Sequence, residues 1–394
     1  MTSRNRCGPW RSRDRAPRVR EILFVAGEAS GDLHAAGVAR ELRADRAPYT
    51  LTGVGGDAMK AAGVDLVEHS ARLAHLGFVE PLRHLPQYYR LLRDLRARIE
   101  SGNVALVLLV DYGGFNLKVA AVAAHAHVPV LYYITPQVWA SRAGRLRTLA
   151  RTVTKAAVIL PFEEALLREH GIDATFVGHP LLDWVATMPS RIDARRALGI
   201  APEEKLLALF PGSRAQEIDR HLDIFIATAL ELQRRDPTLK VVVSAAPHVS
   251  ISPERCPYPL VHAASFSLLR AADAAMCKSG TTTLEAAVTL CPLVVAYRTD
   301  AITYALARRL VRIPFIGLVN VVAGREIARE FIQRALQPTA VADALEPLLD
   351  ATNPVRARMI AELAAVRDSL GQPGAAARVA RLAVALGRGA EERS

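Results

Sequence analysis

The sequence predicts an α/β protein made of two doubly wound parallel-sheet domains facing a central cleft, with C-terminal helices that pack back or swap. Three observations predict it. At 394 residues and 51% apolar content, the chain is too long for one ordinary core and holds the material for two. Short apolar runs of strand character alternate with Ala/Leu/Arg-rich segments of helical period, the rhythm of buried parallel strands covered by helices on both faces. That rhythm then starts afresh after residue 204.

In chain order, residues 1–20 come first and read as a disordered basic arm. They hold seven arginines against one aspartate, so they supply +6 of the formal +11. The arm has no apolar run suited to a secretory signal. Its charge suits anionic lipid or nucleic acid, but the rest of the chain carries only +5 and no nucleic-acid motif, so nucleic acid is not expected as a partner.

EILFVAG (21–27) is the first strand and DLHAAGVARELRA (32–44) the first helix. The alternation returns in ALVLLVD (105–111), LKVAAVAAHA (117–126) and VPVLYYI (128–134). Around 185–204 two prolines and mixed charge mark a domain joint. Beyond it come LLALF (206–210), KVVVSAAP (240–247), AAMCKSG (274–280) and PLVVAYR (292–298). The expected division is an arm at 1–20, domains at 21–190 and 203–350, and a helical tail at 351–394.

No apolar stretch approaches the 18 or so residues needed to span a bilayer, so a cytoplasmic location is expected. The four cysteines, Cys7, Cys256, Cys277 and Cys291, form no C-x-x-C pair and read as reduced thiols. No metal site is expected.

Ligands of such sheets bind beyond the carboxyl ends of the strands, and four stretches stand there or nearby. In LVDYGGFN (109–116), Asp111 ends a buried strand and is either a turn residue or a catalytic base. In VAGEASGDLHAA (25–36), Ser30 or Asp32 can start the helix, which leaves Glu28 without a structural task. FPGSRAQE (210–217) turns a strand into a helix from about Ala215. Either Ser213 simply caps that helix, or its free N–H groups and Arg214 hold a phosphate. CKSGTTTLEAA (277–287) repeats the arrangement, with Ser279 or Thr281 as cap, or with the loop on a nucleotide and Glu285 on sugar hydroxyls.

The chain lacks a Walker loop, a dinucleotide fingerprint, an Asp-x-Asp pair, an H-E-x-x-H and a G-x-S-x-G elbow. Charge on a leaving group then falls to helix ends and arginines. Residues 82–99 place Leu82, Leu85, Tyr88, Tyr89, Leu92, Leu95 and Ile99 at helical spacing among five arginines. This amphipathic basic helix suits a core-facing stripe, or, with Phe78 and Val79, a lipid interface.

Taken in order, GEASGD (27–32), ITPQVWA (134–140), FVGHPLLD (176–183), PGSR (211–214), KSGTTTLE (278–285) and NVVAGRE (320–326) resemble the lipid A disaccharide synthases, from about Glu21 to the C-terminal helices. The resemblance implies two Rossmann-like domains of the GT-B type and a metal-independent, inverting glycosyltransferase without cofactor. It implies UDP-2,3-diacylglucosamine as donor and 2,3-diacylglucosamine 1-phosphate as acceptor. The product is a β-1′,6-linked disaccharide, made peripherally on the cytoplasmic face of the inner membrane, whose anionic surface is a partner.

The same resemblance makes Asp111 the base. The family often has a second acid where this chain has Gly114, so Asp111 acts alone. Arg214 stabilises charge on UDP, and the nucleotide-sugar side comprises Gly212, Ser213, Arg214, Ser279, Gly280, Thr281, Glu285, Asn320, Arg325 and Glu326. Glu28, Ser30 and Asn116 belong to the acceptor side, and Phe78, Val79, Leu82 and Leu85 to the membrane contact. A homodimer is left open. An alternative within the same fold is a UDP-N-acetylhexosamine 2-epimerase-like enzyme.

Overall fold

A computed structural model describes residues 20–71, 85–137, 144–246, 249–262, 265–301, 303–305 and 313–391. The basic arm, Phe78, Val79 and Leu82 lie outside the described residues, as does the side chain of Leu85.

The first sheet contains β1 (Arg20–Ala26), β2 (Tyr49–Gly55), β3 (Asp65–His69), β4 (Val104–Val110), β5 (Val130–Tyr133), β6 (Lys155–Val158) and β7 (Ala174–Phe176). Its order is β3-β2-β1-β4-β5-β6-β7. The second contains β8 (Leu206–Phe210), β9 (Lys240–Ala245), β10 (Leu260–His262), β11 (Ala274–Lys278), β12 (Leu293–Tyr297) and β13 (Glu330–Ile332), in the order β10-β9-β8-β11-β12-β13. The described pairings are parallel.

Both sheets therefore start at a central strand, run outward to one edge, return to the centre and run to the other edge. This places a switch point between β1 and β4 and another between β8 and β11. Strand β4 reads VALVLLV without alternation because helices cover both of its faces, and every residue in it is buried. Each such Val or Leu contributes about 1.5–3 kcal/mol by leaving water.

The chain forms two compact units: Met1–Tyr133 with Arg151–Thr154 and Ala380–Ser394, and Ile134–Ala150 with Lys155–Val379. In the second, the stretch around 185–204 is ordered. Ser190 caps the helix Arg191–Ala197, and the buried Arg195 donates to the carbonyls of Ala201 and Ala271. The tail helix Pro354–Ser369 packs back onto the same unit, with Leu363 and Val366 in one core with Leu206, Ala275 and Leu293.

Helix Leu85–Glu100 buries Leu91, Leu95 and Ile99 and exposes Tyr89 and Arg93. Its apolar stripe thus faces the core over the last three turns. Cys256, Cys277 and Cys291 are free, buried thiols. Among the described residues no helix is long and apolar enough to cross a membrane.

Candidate active site

The first switch point gathers acids and aromatic rings. Strand β4 runs out at Val110, and the next two residues, Asp111 and Tyr112, both take left-handed backbone, with φ of 50° and 52°. Such geometry costs non-glycine residues on the order of 1–3 kcal/mol each and needs an enforcing frame. The frame is made of hydrogen bonds. The Asp111 N–H donates to the Tyr133 carbonyl at 3.1 Å, while the Asp111 carbonyl accepts from the Asn116 Nδ2 at 2.7 Å and the Tyr132 hydroxyl at 2.9 Å.

Asn116 is fully buried, and its amide also donates to the carbonyls of Val25 at 3.3 Å and Val110 at 3.2 Å. It ties the ends of β1 and β4 to the turn. The Asn116 Nδ2 therefore holds the turn, while its Oδ1 is buried without a hydrogen-bond partner. Tyr112 lies across Gly27, where an added Cβ would meet the ring at 2.3 Å, so only glycine lets the ring lie there. Phe115 stands beside both Tyr112 and Tyr88, at ring-centre distances of 5.9 and 4.9 Å.

Asp111 itself is partly buried at this turn. Burial, and secondly the negative charge of Glu28, push its carboxyl above the usual carboxylate range, against a hydrogen bond from the Tyr112 backbone that lowers it. A carboxylate so raised is a better proton acceptor than a free aspartate. Glu28 and Ser30 are exposed just after β1.

The helix after β1 begins at Ala29, with Glu28 at the capping position, so neither Ser30 nor Asp32 starts it. Asp32 caps a different helix: its carboxylate accepts from the backbone N–H groups of Gly56, Ala58 and Met59 at 2.7 to 3.1 Å, at the start of Asp57–Ala61. A cap 24 to 27 residues away in the chain leaves no local signature.

The second switch point is a cavity of about 350 Å³ lined, among the described residues, by hydroxyls, glycines, the cation Lys278 and the carboxylates Glu217 and Glu285. Gly212 and Ser213 follow β8, Lys278 ends β11, and Ser279, Gly280, Thr281 and Glu285 follow it. Ser244 and Ser265 add to the lining. The helix after β8 starts at Ala215, and Arg214, not Ser213, occupies the capping position. The Ser213 N–H instead donates to Glu217 at 2.9 Å. Gly212 has φ 142°, and an added Cβ would lie 2.5 Å from the Glu217 Cβ.

The helix after β11 starts at Thr282, with Thr281 at its cap but no side-chain capping bond, and Ser279 donates to the Ile316 carbonyl at 2.6 Å. Glu285 faces the cavity with its carboxyl raised, first by burial and against a hydrogen bond from Ser265. Its Oε2 is buried without a partner. That acceptor is available to a ligand hydroxyl, because burying it unpaired costs about 1–3 kcal/mol.

The remaining donor-side residues stand differently. Arg214 is mostly exposed and 3.8 Å from Glu217. Asn320 is fully buried and saturated by the protein. Its amide donates to the Ala328 carbonyl and to Glu330, and its Oδ1 accepts from the N–H groups of Ile327 and Ala328. Arg325 pairs with Glu362, and Glu326 accepts from the Glu330 N–H at 3.1 Å. Among the described residues, none of these four lines the cavity.

Sequence reading assigned no role to Lys278 or Glu217, although both stand inside motifs it quoted. A larger hollow of about 1070 Å³ opens at the amino ends of β1, β4 and β5, beside Arg20, His125, His127 and Arg151, and touches none of the expected site residues.

Two doubly wound parallel sheets, each with a polar site at its switch point, define the GT-B fold. The crystal structure of the kitacinnamycin glycotransferase superposes with a TM-score of 0.61 at 18% identity, covering 93% of this chain and 98% of that one. The UDP-GlcNAc 2-epimerase from Neisseria meningitidis gives 0.60 at 13%, covering 93% and 99%. At these identities the likeness shows the fold, which transferases and epimerases share.

Sequence separates them. The Lipid-A-disaccharide synthetase family profile matches residues 22–375. The lipid-A-disaccharide synthase of Syntrophus aciditrophicus (strain SB) is 40% identical over 374 residues, 93% of this chain and 97% of that protein. That of Trichlorobacter lovleyi is 38% identical over 377 residues, 94% and 98%. This chain belongs to the lipid-A-disaccharide synthase family and is a glycosyltransferase.

Proposed function

We propose that the protein is a lipid A disaccharide synthase that transfers 2,3-diacylglucosamine from UDP to the 6-hydroxyl of 2,3-diacylglucosamine 1-phosphate and releases UDP. Asp111 carries this reading: it is a partly exposed carboxylate raised by burial and by Glu28, held at a switch point through its own carbonyl. It removes the acceptor proton as the hydroxyl oxygen attacks the donor anomeric carbon from the face opposite UDP. The new linkage is therefore β-1′,6, with inversion. Glu28 and Ser30 border the acceptor.

The cavity of the second unit takes UDP. Gly212, Ser213, Gly280 and Thr281 offer a close backbone approach and hydroxyls to the diphosphate, and Glu285 accepts from the ribose. The exposed Arg214 guanidinium answers the charge that grows on UDP, as oxyanion donors do. Asn320, Arg325 and Glu326 hold the loop that borders this side. The reaction runs without a metal, at the cytoplasmic face of the inner membrane, where the basic exposed face of helix Leu85–Glu100 suits an anionic surface.

The test is turnover of the two lipid substrates in detergent micelles with chelator present, by the native chain and Asp111→Asn. Disaccharide from the native chain, with a loss on the order of 10²–10⁴ in kcat in the folded variant, is expected. Equal rates would return Asp111 to the role of a turn residue, and no disaccharide from the native chain would overturn the assignment.

A further inference from the structure

The cavity of the second unit contains an ion pair to which the quoted motifs assign no role. Lys278, the last residue of β11, extends its Nζ to 2.9 Å from the Glu217 Oε1, and both side chains are largely buried, at 19% and 15% exposure. The Tyr297 ring lies beneath the ammonium, 5.9 Å from its centroid. Glu217 uses its other oxygen to hold the Ser213 N–H at 2.9 Å.

Burial alone would raise the Glu217 carboxyl, but Lys278, the Ser213 N–H and Arg214 outweigh it, so it is lowered and stays ionised. Lys278 thus joins the loop after β8 to the loop after β11, the two loops that line one cavity.

A pair this enclosed is weak ground for stability, because desolvating both ions offsets most of their attraction. A purely structural role leaves its position unexplained: it sits on the cavity wall beside hydroxyls and glycines, where a diphosphate is the complementary ligand. Arg214, by contrast, is 72% exposed and does not line the cavity.

Building on the proposed donor site, we infer that Lys278 is a second cation, beside Arg214, that neutralises the diphosphate of UDP, and that Glu217 holds it in place while the site is empty. On donor binding the ammonium turns from Glu217 to a phosphate oxygen, which needs only a rotation of the lysine stem. Glu217 keeps its bond to the Ser213 N–H, so the loop stays formed while the cation changes partner. The pair is then a neutral resting state for a charge that is needed only when two negative phosphates arrive.

The test is binding of UDP, and of uridine by competition, to the purified full chain, its Lys278→Gln and Lys278→Arg forms, and Glu217→Gln. Native UDP binding well above uridine binding establishes the site itself. If UDP is not bound above uridine, the donor-site reading fails rather than the role of Lys278. Given that preference, Lys278→Gln is expected to weaken UDP about 10-fold or more and leave uridine unchanged. Lys278→Arg should restore most of the difference, and Glu217→Gln should tighten UDP several-fold with a steeper salt dependence. An unchanged UDP-to-uridine ratio in Lys278→Gln and Glu217→Gln, whatever their melting temperatures, would overturn the inference.

Discussion

The two switch points have the same strand order and different chemistry. After β1 and β4 come Glu28, Asp111 and a group of tyrosine and phenylalanine rings. After β8 and β11 come glycines, serines, threonines and Lys278, with Glu217 and Glu285 one turn into the helices that follow. Topology therefore determines where a site forms, at the strand ends where neighbouring connections diverge, and says nothing of what it binds. The residues immediately after each strand decide that. The acid-rich turn suits removal of a proton, and the hydroxyl- and cation-lined one suits phosphate.

The contrast can be broken first at its acidic end. Gly27→Leu drives a side chain into the Tyr112 ring, where even a Cβ would sit 2.3 Å away, and with it displaces the Asp111 turn. Turnover should fall at least 10²-fold, comparable to a misplaced base, while UDP affinity measured by calorimetry stays within about twofold. Equal loss of both would mean that the two sites are not chemically separate.

Next in size is the frame beneath the base. Asn116→Ala removes three amide hydrogen bonds from fully buried surroundings and should cost about 2–4 kcal/mol in urea unfolding. The equivalent break in the second unit, Gly212→Ala, places a Cβ 2.5 Å from that of Glu217. It should weaken UDP roughly 10-fold with a smaller stability loss, about 1–2 kcal/mol.

The acid limb of the pH–rate profile gives a sharper, smaller test. Asp111 must be ionised to accept a proton, so kcat/KM should rise with pH through its raised pKa. Glu28→Gln, by removing the nearby negative charge, should move that limb to lower pH. Stability has the opposite sign. A carboxyl raised by folding contributes fully below its unfolded value, and that contribution is lost as pH rises through the folded one. Asp111→Asn should therefore melt higher than the native chain at pH 8, with the gap closing toward about pH 4.

The smallest effect is expected at Glu285. Its raised carboxyl and unpaired Oε2 mean that Glu285→Gln should melt slightly higher at neutral pH while weakening UDP only about 3- to 10-fold. No change in UDP binding would remove Glu285 from the ribose.

Most of the fold was legible because it is written in local runs. ALVLLVD announces a strand buried on both faces and ending in a charge, and PGSRAQE announces a strand-to-helix turn to within one residue of its cap. What escaped was written across distance. Asp32 looks like the cap of its own helix, yet it serves one that begins at Asp57. Lys278 and Glu217 stand 61 residues apart and meet only because β8 and β11 are neighbours. Asn116 and Asn320 read as ligand contacts, whereas in the fold the Asn116 Nδ2 donates to three backbone carbonyls and Asn320 is held by the backbone and Glu330. An amide's partners depend on what surrounds it in space, and one sequence alone does not display that.

The division of the chain has a consequence for biogenesis. Ala380–Ser394 belongs with the first unit, where Gly387 lies against the Tyr49 ring. A ribosome finishes almost all of the second unit before it releases the last piece of the first. The half that carries Asp111 therefore waits, incomplete, through most of synthesis, and a chaperone or a stalled ribosome would meet it in that state. A nonsense codon near residue 380 should accordingly damage the earliest-made domain more than the one it interrupts.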